Sequence, residues 1–458
     1  MNWSLPLLLV VGVLARFQLV PFEPLVLTVA AYCVVALIRA LGRDIPVLET
    51  TSAIYSLQLL IGPWISYLSP PWFDRYRMVI SEETYFSYAI PAVVAYLLPL
   101  AFVRHHLGYL AQIMDFRGGR RVFEAGVIIC LIGLSESIWG RYMPGSLAFV
   151  AFLVGELKFV GALYCYFCRH GQRRWVLFGV FTLTIITSLS SAMFHQVLLW
   201  GTIMVSLVIY REFRRPYLGL RVGCIVAGIT GVIILQVYKD EYRETLEMNP
   251  ERGIVSNLLT AASRGSLDIE GVTEVLTVRL NQGWIVSNVM NHVPRHEPFA
   301  GGTTLLQAMR DAFLPRLLFE KAARGGGREH FRRFTGLHLR SDTSMGISPV
   351  GEVYANLGEN GGIAAMFGYG CLFAGTYYFL TTRRNLHVLF LLWIPVIFSQ
   401  ALKAETELTI VLNHLVKAAA FCVITYIVLH QILFGQVKAP VHSTRVPAGP
   451  PEPTGTTP

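Results

Sequence analysis

The feature that most constrains this chain is a succession of long apolar runs that fills most of its length. They fall at 3–16, 24–41, 50–69, 84–103, 122–139, 146–167, 175–190, 194–210, 222–238, 361–380, 386–402 and 408–434. A helix needs about 20 apolar residues to cross a hydrocarbon core roughly 30 Å thick. In lipid every backbone polar group must find its partner within the segment, so such runs fold as helices. Only 15% of residues are charged, against about 25% in a soluble domain, and mean hydropathy is +0.51. The expected fold class is an all-α polytopic membrane protein of about 12 transmembrane helices with one large outer loop.

The expected organisation is an N-terminal bundle over 1–238 with about nine helices, a partly helical outer loop over 239–347, and C-terminal membrane helices over 348–435 that begin with an interfacial motif helix. The stretch 436–458 is rich in Pro, Thr and Gly and reads as a disordered tail. The first run lacks a basic leader region and reads as a retained helix.

Net charge is +9, but the basic residues concentrate in alternate gaps: 39–49, 104–121, 169–174, 211–221, 383–384 and the C-terminal tail. Short basic loops mark the cytoplasmic side. One orientation satisfies all of them, with both termini cytoplasmic and the 239–347 segment outside. The charge is therefore topological, the bilayer is the expected partner, and nucleic acid is not expected. The seven cysteines lie in or beside apolar runs, so no disulfide framework is expected. Cys165-x-x-Cys168 has no second pair nearby and reads as packed thiols.

The outer segment changes sign along its length. Acids prevail over 239–278. Over 279–340, ten basic residues, nine of them arginines, face four acids. The arginine fork suits phosphate oxygens. An anionic partner at headgroup level follows, either bulk phospholipid or a specific diphosphate; for any single arginine a solvated or lipid-facing position is the plain alternative. Gly301-Gly302-Thr303 offers a helix start before apolar spacing over 304–314. Gly325-Gly326-Gly327 lacks the remainder of a P-loop and reads as a flexible turn.

The polar stretch Ser348–Gly362 then meets the next apolar run. Glu352, Asn356 and Glu359 recur at spacings of four and three, one face of a helix, with Ser348 as cap and Pro349 in the first position. One helix over 349–380 would be about 48 Å long, far more than the core requires. The expectation is a break over Gly358–Gly362 and a short interfacial helix over 349–357, which removes Glu359 from the shared face. Glu352 is open to two readings, a functional carboxylate or an ion pair with a loop arginine. His292, His296, His330 and His338 are alternative bases.

Arg279, the Val293-Pro294 turn, Gly301-Gly302-Thr303, Leu314-Pro315-Arg316, Lys321 and Gly351-Glu352-x-Tyr354-x-Asn356-x-Gly358 together resemble the oligosaccharide repeat-unit polymerases of the O-antigen polymerase (Wzy) type. Leu357 stands where that pattern has Phe. The Ser190–Gln196 hairpin has His195 where such proteins often carry an arginine. The resemblance covers about 279–370 with motifs and the rest by topology.

The resemblance implies a GT-C-like, metal-independent glycosyltransferase of the bacterial inner membrane with no cofactor. It would join undecaprenyl-diphosphate-linked oligosaccharides on the periplasmic face, beside a flippase and a chain-length regulator. Glu352, Arg316 and Arg279 are the catalytic candidates. Arg340, Lys321, Arg310, Tyr354, Asn356 and His195 are the substrate-binding candidates. Cations must hold the diphosphate leaving group, and a base must take the acceptor's proton. An O-antigen ligase-type transferase and a polysaccharide or lipid transporter are the alternatives. A transporter would place its polar groups at mid-membrane. A structural partner in an assembly complex is a fourth reading.

Overall fold

The computed structural model describes residues 4–71, 74–104, 119–144, 147–168, 171–191, 195–213, 217–237, 280–313, 327–340, 345–382 and 388–434, with a few single residues between 245 and 278. Every element among them is helical. The N-terminal part comprises α1 (Ser4–Arg16), α2 (Phe22–Ala40), α3 (Val47–Ser56), α4 (Gly62–Leu68), α5 (Glu82–Val103), α6 (Arg120–Trp139), α7 (Ala148–Phe167), α8 (Arg173–Ser191), α9 (His195–Glu212) and α10 (Leu218–Val237). Three short helices follow: α11 (Gly283–His292), α12 (Thr303–Phe313) and α13 (Arg328–Thr335). The chain closes with α14 (Ser348–Thr382), α15 (Ile394–Phe398) and α16 (Leu408–Phe434). Among the described residues six helices, α2, α5, α6 with the turn after it, α7, α14 and α16, are long and apolar enough to cross a membrane. This is the architecture of a multi-pass helical membrane protein.

Helix α5 is the centre of the bundle. From Tyr85 to Leu97 it is buried at every position. Helices α1 and α14 pack along it. Apolar attraction between helices is weak in lipid, so close packing must supply the stability. Small residues provide it: a Cβ at Gly370 of α14 would stand 2.5 Å from the Tyr96 carbonyl oxygen, and one at Gly362 would stand 2.7 Å from the Tyr88 hydroxyl. The same device joins α6 to α7, where a Cβ at Gly126 would meet the Cys165 sulfur at 2.7 Å. Cys165 and Cys168 are buried thiols at the end of α7, Cys168 bonded to the Tyr164 carbonyl, as the packed-pair reading expected.

Three apolar runs do not form single unbroken helices. The run over 50–69 is interrupted by a π-turn at Leu57–Ile61, between α3 and α4. The wider turn precedes Pro63, which has no amide to donate. The 386–402 run contains a 3₁₀ segment, Val388–Trp393, and the five-residue α15. Every residue from Leu389 to Phe398 is buried. That run is long and apolar because protein covers it on all sides, and unbroken hydrophobicity alone does not separate such a segment from a lipid-facing one. The 361–380 run belongs to the longer α14, whose helix leaves its path at Gly358 alone (φ 68°, ψ −165°) and resumes at Glu359. The break is thus one residue, narrower than Gly358–Gly362, because Gly358 alone takes the left-handed φ that a glycine tolerates.

Gly370→Leu should lower stability by about 1–3 kcal/mol through overpacking, read as a lower thermal midpoint in detergent. Gly375→Ala, on the same helix with no atom within 4 Å of the added carbon, should leave the midpoint within error.

Candidate functional site

The short arm Ser348–Leu357, the part of α14 before its break, carries three buried polar side chains: Ser348, Glu352 and Asn356. Four-residue spacing puts them on one face, which for Glu352 and Asn356 is the face expected. Their partners lie elsewhere in the chain. Glu352 is fully buried, and its carboxylate accepts the Leu408 amide at 2.7 Å and the Thr409 hydroxyl at 3.2 Å. These groups open α16. The first amides of a helix have no internal acceptor, and the helix dipole favours an anion beside them. Glu352 therefore caps a helix 56 residues away in sequence. The ion pair with a loop arginine is not what holds it.

Asn356 Nδ2 donates to Thr304 Oγ1 at 2.6 Å and to the Glu352 carbonyl at 2.8 Å. Its Oδ1 is buried and has no partner. Because the helix breaks at Gly358, the preceding carbonyls lose their intrahelical donors. The Ala300 amide bonds the Ala355 carbonyl and the Gly301 amide bonds that of Asn356, each at 3.0 Å. Gly301 and Gly302 have φ of 58° and 82°, which lets the loop turn there and lead into α12. The Gly301-Gly302-Thr303 signal is thus a docking turn as well as a helix start. Tyr354 faces away from Glu352 and packs edge-on against Tyr88, with ring centroids 5.1 Å apart, and against Phe299. Glu359 and Asn360 pair with Arg16 at the end of α1. Ser348 does not cap the arm: its φ is 67° and its buried Oγ has no partner.

The site contains a carboxyl that sequence reasoning missed. Glu407, just before α16, is fully buried, and neither oxygen makes a well-formed hydrogen bond. It lies against the 346–347 backbone, where a Cβ at Gly346 would stand 3.1 Å from Glu407 Cγ. Burial, and then the neighbouring Glu352 carboxylate, push its pKa up to about 8. Two close carboxyls at one helix end cannot readily both ionise. The signal was the polar island Lys403-Ala404-Glu405-Thr406-Glu407 between two apolar runs. A second missed carboxylate, Glu156 in α7, accepts from Gln196 Nε2 at 2.8 Å and Trp200 Nε1 at 2.7 Å. A buried acid within a membrane run is costly unless held in this way.

The remaining candidates are dispersed. Arg310 and Arg340 are exposed, and neither bonds to the arm. Arg333 pairs with Glu297 at 2.5 Å. Arg279, Arg316 and Lys321 lie outside the described residues, as does most of 239–279 and the whole 436–458 tail. His195 opens α9 beside Gln196, and its side chain is outside the description. His330 is pushed down to about 4 by burial and by Arg333, and His292 is lowered by burial and by His296. Both lie where α11 packs on α13. Among the described residues no three His, Cys, Asp or Glu side chains gather as a metal centre needs.

Glu407 sets a pH dependence. An acid whose folded-state pKa is raised favours the fold while protonated and loses that contribution as pH climbs above its free value. Stability should fall between pH 4.5 and about 8 and level off above. Thermal midpoints in detergent across this range check it, and Glu407→Gln should flatten the fall; an equally steep fall in that variant would assign it elsewhere.

Compared with family models, curated proteins and solved structures, the chain matches none.

Proposed function

We propose that the chain is a lipid-diphosphate-dependent glycosyltransferase of the repeat-unit polymerase type, with its site at the Glu352–Asn356 arm. One observation carries the reading. The Gly-Glu-x-Tyr-x-Asn pattern and the upstream Gly-Gly-Thr pattern with the residue after it, separate in sequence, meet through the Gly301–Asn356 backbone bond and the Asn356–Thr304 bond. Asn356 Oδ1 is left without a partner there. An unpartnered buried polar oxygen is costly and is a natural place for a sugar hydroxyl to donate.

In this reading the bond from the donor sugar's anomeric carbon to its diphosphate breaks, and the electron pair leaves with the diphosphate. A bond forms to a hydroxyl oxygen of the acceptor, whose proton passes to a carboxylate. Glu352, held at the end of α16 with both oxygens engaged, is a positioning residue. Glu407, a buried carboxyl beside Glu352 with its pKa pushed up to about 8, is the group suited to exchange that proton. Exposed arginines such as Arg310 and Arg340 supply positive charge for the diphosphate, together with Arg279, Arg316 and Lys321. The bacterial inner membrane, a periplasmic loop, and a flippase and chain-length regulator as partners belong to the same proposal.

The test is reconstitution in vesicles with a purified lipid-diphosphate oligosaccharide. Elongated lipid-linked product supports the polymerase. Movement across the bilayer without elongation would instead make the chain a transporter, and transfer only to a different acceptor would make it a ligase. Asn356→Ala and Arg316→Ala should each cut product at least tenfold while the protein still inserts into the membrane at near wild-type levels. An unchanged chain-length ladder in both variants would refute the site.

A further inference from the structure

Helix α12 belongs to the segment that the sequence places outside the membrane, yet its surface is not that of a water-exposed helix. Ala308 and Ala312 are buried, and the helix packs along α16. Leu306, Met309 and Phe313 are 62%, 46% and 74% exposed. Spacings of three and four put them in one stripe. Arg310, beside that stripe, is also exposed.

What covers the stripe follows from the helix beneath it. α16 is long and apolar enough to cross a membrane, and its exposed residues are Ile410, Ala420, Ile424, Ile427, Val428 and Ile432, with Gln431 the one polar side chain among them near the far end. That outer face is a lipid-facing surface in a multi-pass protein. α12 lies along the same helix on alanines, which allow a close approach. Its stripe therefore continues the apolar surface of α16 rather than standing apart from it. Leu357 and Phe299, each 42% exposed, extend it at the near end. Leu357 lies 3.9 Å from where a Cβ on Gly302 would be. An apolar stripe with a flanking arginine is the pattern by which a helix buries one side about 5–10 Å into the headgroup–acyl boundary while its charge stays among the headgroups.

We propose that Thr303–Phe313 is a membrane-interface helix. Its Leu306–Met309–Phe313 stripe sits in the acyl chains of the leaflet on the Glu352 side, and Arg310 reaches the phosphates of that leaflet. The occupant is the bilayer itself, not a second protein. The Thr304–Asn356 contact at the start of the helix is thereby set at headgroup depth. This inference does not depend on the sugar-transfer reading and would stand if that reading failed.

The experiment uses the full chain in vesicles containing phosphatidylglycerol. Cys224 and Cys371, the cysteines that are not buried, are replaced by serine. Single cysteines at Leu306, Met309 or Phe313, and at exposed Arg332 as a reference, then carry nitroxide labels. Collision rates with oxygen, which concentrates in acyl chains, and with a water-soluble nickel chelate are compared. At 306, 309 and 313 the oxygen-to-nickel ratio should exceed that at 332 at least threefold. A ratio equal to that at 332 would overturn the proposal by placing the stripe in water. Low rates with both reagents at all three positions would overturn it too, because a protein surface would then cover the stripe.

Discussion

The arrangement around the candidate site depends on one interaction, the Glu352 carboxylate at the open end of α16. Leu408 N–H and Thr409 O–H would otherwise face a dry interior, and an unpaired buried donor costs about 1–3 kcal/mol. The contact joins the arm before the Gly358 break to the start of the last helix. Once it is made, Glu407 is drawn beside a second carboxyl, and α12, which packs on α16, is brought to Asn356 through Thr304. Cap, carboxyl pair and docking loop are consequences of one helix end being satisfied from outside its own chain segment.

The arm holds its place through a second device, the single broken turn at Gly358. An uninterrupted helix would consume the carbonyls of Ala355 and Asn356. The break releases them to the amides of Ala300 and Gly301. Backbone hydrogen bonding is thus conserved while its partners change. A loop that would otherwise float above the bundle is bonded to it, and the unpartnered oxygen of Asn356 is held in one position. The packing below is equally local in origin. Gly362 and Gly370 let α14 lie on the backbone of α5, so the arm inherits the rigidity of the most buried helix.

Much of the fold was legible in the residues. Most of the apolar runs fall on helices, six of them among the described residues long and apolar enough to cross a membrane, and the 303–313 helix starts at the glycine pair that announced it. The shared face of Glu352 and Asn356 and the departure of Glu359 from it were also readable. The partner of Glu352 was not, since an arginine-rich loop made an ion pair the natural expectation and a helix end carries no sequence mark of its need for an anion. Glu407 and Glu156 were passed over because each stands alone in or beside an apolar run. The run over 386–402 looked like a membrane helix because burial in protein and burial in lipid select the same side chains.

By itself, then, the sequence determined which segments are helical, where their polar faces lie and where a glycine permits a break. These follow from period, length and local backbone freedom, all properties of neighbouring residues. Only the tertiary structure decided that Glu352 caps α16, that Glu407 lies beside it, that Arg310 and Arg340 stay at the surface, and that the apolar stripe of α12 is left exposed. Each of these depends on which distant group arrives at a given place, and in a bundle of similar apolar helices that choice is made by close packing and by the requirement that every buried polar group find a partner.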